Sequence, residues 1–247
     1  MRVGITYIYH CCFCLRFADS VLVFDIPAPE HRSRKAEDRL REAVSQTTVY
    51  ALFSHSHADH FAPDASDLLQ SAASAHFLVA DDAADLYEDR IPGHSLVIEP
   101  DTTFWINDLA VSAYASNDLG VAFLLCKQGV RIYFGGDLAD WQWPGLPQAA
   151  SRASSFFFRG MLRELKRHSI HLAFSDTDDR LDNLAGAPEL VDKLRPAYFV
   201  PMHTFGRSEP IRALREKTSH TSPTRIFSYR HPGETMLAEI PLGSNGM

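Results

Sequence analysis

A dense cluster of histidines directly follows an apolar segment in the first quarter of the chain. Residues 48–53 read TVYALF, a pattern typical of a buried strand, and residues 54–60 read SHSHADH. Four metal-binding side chains lie within six positions: His55, His57, Asp59 and His60. Imidazole nitrogens and carboxylate oxygens are ligands for zinc and related transition metals. The cluster therefore predicts a metal site where a strand ends.

The spacing within the cluster suggests two ions. Residues two positions apart in an extended segment point the same way, so His55 and His57 can hold one ion. The chain then turns, and Asp59 with His60 can face a second ion beside the first. The alternative is a solvated histidine-rich loop without a metal. The density of donors after an apolar strand favours the metal site.

Length and composition predict a folded chain with a substantial core. The 247 residues are 45% hydrophobic and 22% charged, and we expect a single domain over residues 1–247. The 24 Lys and Arg against 31 Asp and Glu give 24 − 31 = −7, whereas nucleic-acid-binding surfaces are usually basic. We therefore expect a small-molecule substrate and no nucleic acid, and the oligomeric state stays open.

The cysteines and the N-terminus bear on the cellular compartment. Three of the four cysteines lie within residues 11–14 (CCFC), without the spread of a disulfide framework, so we expect buried structural thiols. Residues 1–9 lack the sections of a signal peptide. No segment approaches the roughly 20 apolar residues that cross a bilayer. These observations favour a cytoplasmic protein without a membrane span.

Strand-like and helix-like segments alternate along the chain. Three short β-prone runs over Val3–Tyr9, Cys12–Phe17 and Val21–Asp25 predict an antiparallel meander. Helical spacing predicts helices that include Arg34–Val44 and Phe156–Arg167, with Phe156, Phe157 and Phe158 in the core.

Two later polar segments also follow predicted strands. Gly135-Gly136-Asp137-Leu138 follows the apolar run Val130–Phe134, and Pro201-Met202-His203 follows Tyr198–Val200. A Gly-Gly-Asp sequence alone is equally compatible with an ordinary turn. Its position after an apolar strand makes Asp137 a candidate ligand.

These segments, in this order and each after a strand, resemble the metallo-β-lactamase superfamily of metal-dependent hydrolases. Tyr7-Ile8-Tyr9-His10, followed by a meander that ends in Phe24-Asp25, is similar to the lactonase and phospholipase-D-like branch. The resemblance implies an α/β fold: a four-layer αββα sandwich of two mixed sheets packed face to face, with helices outside. It also implies a site for one or two metals at one edge.

The resemblance assigns a role to each candidate ligand. It implies that His55 and His57 bind the first metal, and that Asp59 and His60 bind the second. Asp137 would bridge the two ions. His203 would complete the second site, and Asp59 would also orient the nucleophile. The implied cofactor is one or two divalent ions, zinc first, with manganese or iron as alternatives.

One departure concerns the first metal. The family normally supplies a third histidine from a loop before the bridging aspartate, but residues 114–121 read YASNDLGV. Asp118 is the best replacement, and a carboxylate there favours manganese or iron more than a pocket of histidines does. The alternative is that Asp118 only caps the turn.

Other residues receive weaker expectations. We expect His10 to hydrogen-bond near the site and Asp25 to orient a ligating histidine. Trp141 and Trp143 either wall the pocket or pack beneath a loop. A solvated loop is favoured for Asp178 and Arg180, and the alternative is that one of them lines the cavity at the end of a strand. Arg207 is a candidate for binding an anionic substrate. Surface or core roles are expected for six other histidines: His76, His94, His168, His171, His220 and His231. The tail, residues 243–247, is expected to fray.

The sequence thus predicts a metal-dependent hydrolase. A metal-bound hydroxide would cleave a small ester, lactone or phosphodiester. The missing histidine motivates the alternative, a non-hydrolytic metal-binding or ligand-sensing protein on the same fold. Neither a Gly-x-Ser-x-Gly elbow nor a glycine-rich phosphate loop occurs, so the motifs give no support to serine hydrolases or nucleotide motors.

Overall fold

Two seven-stranded sheets carry the fold. The computed structural model describes residues 1–218 and 222–241, so His220 and residues 243–247 lie outside the described part. The strands are β1 (Arg2–Tyr9), β2 (Cys12–Arg16), β3 (Ser20–Phe24), β4 (Thr48–Phe53), β5 (Ser74–Ala80), β6 (Leu96–Ile98), β7 (Thr103–Ile106), β8 (Leu109–Ala115), β9 (Val121–Lys127), β10 (Val130–Phe134), β11 (Leu172–Asp176), β12 (Tyr198–Met202), β13 (Arg225–Ile226) and β14 (Thr235–Glu239). The helices are α1 (Arg34–Val44), α2 (Ala65–Leu68), α3 (Asp81–Leu86), α4 (Gln148–Leu165), α5 (Ala187–Leu194) and α6 (Glu209–Thr218).

The two sheets share one pairing pattern. The first has the order β14-β1-β2-β3-β4-β5-β6, and the second has the order β13-β12-β11-β10-β9-β8-β7. Pairing is antiparallel from β14 to β3 and parallel from β3 to β6. In the second sheet it is antiparallel from β7 to β10 and parallel from β10 to β13. Both sheets are mixed, as predicted.

Apolar side chains define four layers. Inward-facing residues of both sheets form one central cluster, in which the Phe24 and Phe134 rings stack with centroids 4.3 Å apart. A second cluster joins the first sheet to α1, α2 and α3, and a third joins the second sheet to α4, α5 and α6. The predicted αββα sandwich is therefore confirmed.

Helix α1 has the bounds that its sequence predicts. Ser33 caps it, because the Ala36 backbone N–H donates to Ser33 Oγ at 3.2 Å. Ala36, Leu40 and Val44 are buried at intervals of four residues and pack against the first sheet. Local capping and apolar spacing agree here, which explains the accurate prediction.

The predicted burial of three successive phenylalanines is wrong for two of them. Phe156 is 75% exposed and Phe157 is 38% exposed, whereas Phe158 is fully buried. Successive helical residues point about 100° apart, so three in a row cannot all face one sheet. Helix α4 also begins at Gln148, eight residues before the predicted start, because QAASRASS has no apolar periodicity.

Three further predictions concern membrane spans, the cysteines and the number of domains. Among the described residues, no helix combines the length and apolar character needed to span a bilayer. Cys11, Cys12 and Cys14 are buried free thiols, as expected. The division into one domain over residues 1–247 stays a prediction.

The parallel strands of the two sheets bring several polar loops to one edge of the sandwich. The loop after β4 carries His55, the loop after β10 carries Asp137, and the loops after β11 and β12 carry Asp178 and His203. Parallel neighbours end at the same side of a sheet, where ligand sites of layered α/β folds collect. The strand order thereby brings residues distant in sequence close together.

Candidate metal centre

Eight side chains form two groups of donors at this edge. The outer group is His55, His57, Asp118 and Asp137, and the inner group is His10, Asp59, His60 and His203. Within each group one donor atom per residue lies within 4.8 Å of every other. The structure thus brings together all seven residues predicted as ligands, and adds His10.

The outer group opens toward solvent. His55 Nε2 lies 3.1 Å from His57 Nδ1, and His57 Nδ1 lies 3.6 Å from Asp118 Oδ2. The side chains of His57 and Asp118 are 46% and 37% exposed. A ligand bound here would be accessible to solvent.

The inner group is enclosed. His60 is fully buried and the His203 side chain is 8% exposed. Asp59 Oδ2 lies 3.3 Å from His10 Nε2 and 4.0 Å from His60 Nε2. Its donors therefore surround a space that the protein shields from water.

Asp137 stands between the two groups. Its Oδ1 lies 3.1 Å from His60 Nε2, and its Oδ2 lies 3.6 Å from His203 Nε2 and 3.8 Å from His55 Nε2. Gly136 precedes it with a φ of 53°, a left-handed conformation that glycine adopts without strain. This turn aims the carboxylate into the space that both groups face.

Unpartnered buried atoms test whether a cation fits. His60 Nε2 and Asp137 Oδ1 are buried and make no hydrogen bond within residues 1–218 and 222–241. Buried polar atoms are nearly always paired, so such atoms need an explanation. An imidazole nitrogen and a carboxylate oxygen that face each other without hydrogen bonding match the donor chemistry of a transition-metal ion. The residues present therefore fit a divalent cation.

Buried hydrogen bonds to the Nδ1 atoms orient the rings of His55 and His60. Asp25 Oδ2 lies 2.8 Å from His60 Nδ1 and accepts from Ser54 Oγ at 2.6 Å. Ser54 Oγ also lies 2.9 Å from His55 Nδ1. These contacts leave both Nε2 atoms facing the candidate metal positions, an arrangement that tunes many metal sites. The expected orienting role of Asp25 is thus matched by its contacts; Ser54 was missed.

The electrostatics of the metal-free site favour cations. Burial lowers the pKa of His203, but the Asp137 carboxylate outweighs it and the pKa rises to about 10. Burial likewise opposes the charged form of His60, yet Asp137 raises its pKa well above the ordinary value. Burial and the charge of His60 lower the pKa of His55 to about 3. Without a metal, protons on His60 and His203 therefore balance the carboxylates.

His10 is oriented for a supporting role. Its Nδ1 accepts a hydrogen bond from the Phe205 backbone N–H at 3.3 Å. Burial lowers the pKa of His10 to about 4, so the ring is neutral and carries its proton on Nε2. Nε2 lies 3.3 Å from Asp59 Oδ2 and makes no hydrogen bond within the described residues, so it faces the inner group as an unpartnered atom, as His60 Nε2 does. His10 therefore lies beside Asp59 at the inner group.

The comparisons with known proteins bear on the fold. No family model and no curated protein matches the sequence. The chain superposes on Igni18, a metallo hydrolase from the hyperthermophilic archaeon Ignicoccus hospitalis, with a TM-score of 0.70 and 17% identity, covering 98% of this chain and 100% of the other. For YhfI from Bacillus subtilis, a metallo-β-lactamase fold protein, the TM-score is 0.66 at 12% identity, with 96% and 99% covered. The chain has the metallo-β-lactamase fold.

A further neighbour with this fold has different chemistry. CmlA from Streptomyces venezuelae, a diiron β-hydroxylase, superposes with a TM-score of 0.59 and 13% identity. The match covers 96% of this chain and 54% of CmlA. The resemblance to the lactonase and phospholipase-D-like branch stays a prediction.

Asp118 is the residue that we predicted as the replacement for the missing histidine of the first metal. Its side chain reaches the outer group, while its backbone N–H donates to Ser116 Oγ at 3.1 Å within the turn. Burial and the Asp137 carboxylate raise the pKa of Asp118. A nearby cation would offset this repulsion.

The prediction of a solvated loop is wrong for Asp178. The residue is 2% exposed, and its Oδ2 lies 3.4 Å from His203 Nδ1. Arg180 Nε donates to both carboxylate oxygens of Asp178 at 2.9 Å. The signal available in the sequence was the position of Asp178 just after a predicted strand, beside another strand that delivers His203.

Two buried groups lie near the inner site, a position that the sequence did not predict for them. Asp176 is fully buried, and neither carboxylate oxygen makes a hydrogen bond within the described ranges. Burial and Asp137 raise its pKa well above the ordinary value. Cys11 Sγ lies within 4.8 Å of donor atoms of His60 and Asp137, and burial raises the pKa of this thiol. Asp176 ends β11 and Cys11 lies in the turn between β1 and β2, and no motif in the sequence marks either one as part of the site.

Proposed function

We propose that this protein is an enzyme, a metal-dependent hydrolase that cleaves a small ester, lactone or phosphodiester. The observation that carries the proposal is the Asp137 carboxylate between two groups of donors, with the buried His60 Nε2 unpartnered beside it. The likeness in fold to a metallo hydrolase from Ignicoccus hospitalis supports it.

The two donor groups support a proposed set of ligands. His55, His57 and Asp118 would hold one ion, Asp59, His60 and His203 would hold the other, and Asp137 would be shared. When bound, two adjacent divalent ions lower the pKa of a water molecule toward neutrality and stabilise the negative charge that develops on the substrate. This is the chemistry that ester, lactone and phosphodiester cleavage require.

The surrounding side chains control protons. In the proposed reaction Asp59 orients the attacking water and passes a proton to the leaving oxygen, so it is the proposed catalytic residue. Burial would raise the pKa of Asp59, but His10, whose Nε2 is 3.3 Å away, and the charge of His60 keep it low. Asp25 and Ser54 fix the rings of His60 and His55.

The metal and the setting are also part of the proposal. We propose zinc as the principal ion, with manganese or iron as alternatives because the donor set includes three carboxylates, Asp59, Asp118 and Asp137. The buried free thiols and the composition support a single-domain cytoplasmic protein with a small-molecule substrate.

The test combines elemental analysis with a substrate screen. Purified protein is assayed for bound metals, then tested on lactones, carboxylic esters and phosphodiesters with added zinc, manganese or iron. Turnover should vanish in His57→Ala and Asp137→Ala and persist in His76→Ala, a histidine that stacks on Tyr50 outside both groups. Tight metal binding without turnover on any of these classes would overturn the proposal.

One observation favours a second candidate, a non-hydrolytic metal protein. The outer group contains the carboxylate of Asp118 where we expected a third histidine, and sites that combine histidines with carboxylates suit iron. CmlA, a diiron β-hydroxylase, has a similar fold. Reconstitution with ferrous iron under argon, followed by exposure to oxygen, separates the candidates. Rapid iron oxidation with a defined stoichiometry, in a protein without hydrolytic turnover, would support the second.

A further inference from the structure

An arginine lies between two aromatic rings beside the inner group. The Arg180 guanidinium carbon is 4.9 Å from the Trp143 ring centroid and 4.9 Å from the Phe205 ring centroid. Both distances are within the range of cation–π attraction. The Arg180 side chain is nevertheless 47% exposed, so solvent reaches the group.

The aromatic side chains connect this arginine to His203. Trp141 stacks on Trp143 with centroids 5.8 Å apart and planes 6° apart. The Trp141 and Phe205 rings lie 5.6 Å and 4.8 Å from the His203 ring. Trp141 is held in turn, because its Nε1 donates to the Asp137 backbone carbonyl at 3.0 Å. The rings therefore form a fixed apolar wall that runs from the candidate metals to the guanidinium.

Asp178 fixes one edge of the guanidinium and leaves another free. Arg180 Nε donates to both oxygens of Asp178, and Nη2 donates to Asp178 Oδ2. Asp178 is buried and also faces His203, so the pair is anchored to the inner group. Within the described residues, Arg180 Nη1 has no hydrogen-bond acceptor. Both of its N–H groups are available to a ligand.

We propose that the substrate carries an anionic oxygen group that binds the free edge of Arg180, with an aromatic or apolar body against Trp141 and Phe205. A guanidinium edge matches the two oxygens of a carboxylate or phosphoryl group, and these charge-assisted hydrogen bonds are strong. The inference rests on the proposed hydrolase function, because it identifies the substrate class of the same site.

Arg207, and not Arg180, is the arginine that the sequence suggested for binding an anionic substrate. Its Nη2 donates to Asp179, and its Nε lies 3.9 Å from Glu209 Oε2. Two carboxylates therefore compete with any anionic ligand there. Arg180 combines one carboxylate partner, a free edge and aromatic neighbours, so the structure favours it.

The first test uses three matched esters: phenyl acetate and its derivatives with a 4-carboxylate or a 4-carboxamide. Arg180→Gln should lower kcat/KM for the carboxylate ester about tenfold or more, the worth of lost hydrogen bonds to a charged group. The ratio of kcat/KM for the carboxylate ester to that for the carboxamide ester should fall about tenfold, and this ratio separates lost anion recognition from a general loss of activity through Asp178 and His203. Arg180→Lys should recover part of the preference. Arg159→Gln is the matched control, because Arg159 on α4 donates two hydrogen bonds to the carboxylate of Glu189 on α5.

The second test needs no turnover. Benzoate, phenyl phosphate and benzamide are titrated into wild-type and Arg180→Gln protein, and quenching of tryptophan fluorescence reports binding near Trp141 and Trp143. Metal-loaded and chelator-treated samples separate binding at Arg180 from binding to an ion. Anion binding should weaken about tenfold in the variant, with benzamide unaffected. Benzoate and phenyl phosphate together show which oxyanion is preferred.

The outcomes separate this inference from the proposed function. Hydrolysis of neutral esters with equal anion preference in wild type and Arg180→Gln would overturn the inference and leave the function standing. Loss of benzoate or phenyl phosphate binding in Arg180→Gln, in a protein that hydrolyses no ester, would support the anion site and contradict the function.

Discussion

The inner and outer groups differ in how firmly the protein holds their side chains. His60 and His203 are buried and contact Asp25 and Asp178, whereas the His57 and Asp118 side chains are half-exposed. Ordering an unsupported side chain around an ion costs conformational entropy. The inner group should therefore bind its ion more tightly, and the outer group should be the position that meets substrate and exchanges metal.

The largest expected effect comes from removing one ligand of each group. His203→Ala should release the inner ion and abolish activity, while His57→Ala should release only the outer ion and retain the inner one. Metal content by mass spectrometry, at a fixed low concentration of free zinc, gives the stoichiometry of each variant. Equal loss of both ions in the two variants would show that the groups are not independent.

The second largest effect is expected from changing Asp25, whose carboxylate contacts His60 of the inner group. Asp25→Asn should lower the affinity for the inner ion by about 10- to 100-fold, because outer partners of ligating histidines typically contribute that much. A chelator competition assay measures the affinity. His76→Ala controls for changing a polar residue elsewhere in the same sheet. An unchanged affinity in Asp25→Asn would mean that orientation of His60 is not limiting.

A smaller effect is expected from restoring a histidine to the outer group. Asp118→His should raise the preference for zinc over manganese at this position about tenfold, because imidazole is the softer ligand. Competition between the two metals, followed by elemental analysis, measures the ratio. A ratio equal to that of the wild type would indicate that Asp118 does not contact the ion.

The smallest effect is a pH dependence of stability in the chelated protein. The folded pKa of His203, about 10, exceeds its ordinary value of 6.5, so its contribution is full below pH 6.5 and is lost as the pH rises through 10. The free energy of unfolding in urea should therefore fall from pH 6.5 to 8.5, and less steeply in His203→Gln. Metal-loaded protein should lack this fall, since the ion replaces the protons.

The same contrast explains what the sequence could predict. The candidate ligands at positions 55 to 60 are close together in the sequence, so strand spacing alone indicated them. Asp137 was a candidate because it follows an apolar strand, its bridging role and the role of His203 came from the resemblance to a family, and Asp118 was inferred from the absence of a histidine. The local sequence was sufficient to predict the bounds of α1, because its N-cap residue, its helix-forming residues and the spacing of its apolar residues agree.

What the sequence could not predict depends on which strands pair. Asp178 and Arg180 looked like a solvated loop because only the parallel pairing of β11 with β12 brings them beside His203. Asp176 lies on the inward face of β11, where its burial follows from the opposite sheet. Phe156 was assigned to the core from composition, although helix geometry turns it outward.

The close packing around Ser54 determines how far apart the two metal positions can be. A Cβ atom on Gly120 would come within 2.0 Å of the Ser54 carbonyl oxygen, and one on Gly136 within 2.7 Å of Ser54 Cβ. A single added methyl group would therefore wedge apart the loops that carry His55, Asp118 and Asp137. The distance between the two candidate metal positions therefore depends on two residues that have no side chains, and substitutions there should widen it before any candidate ligand is changed.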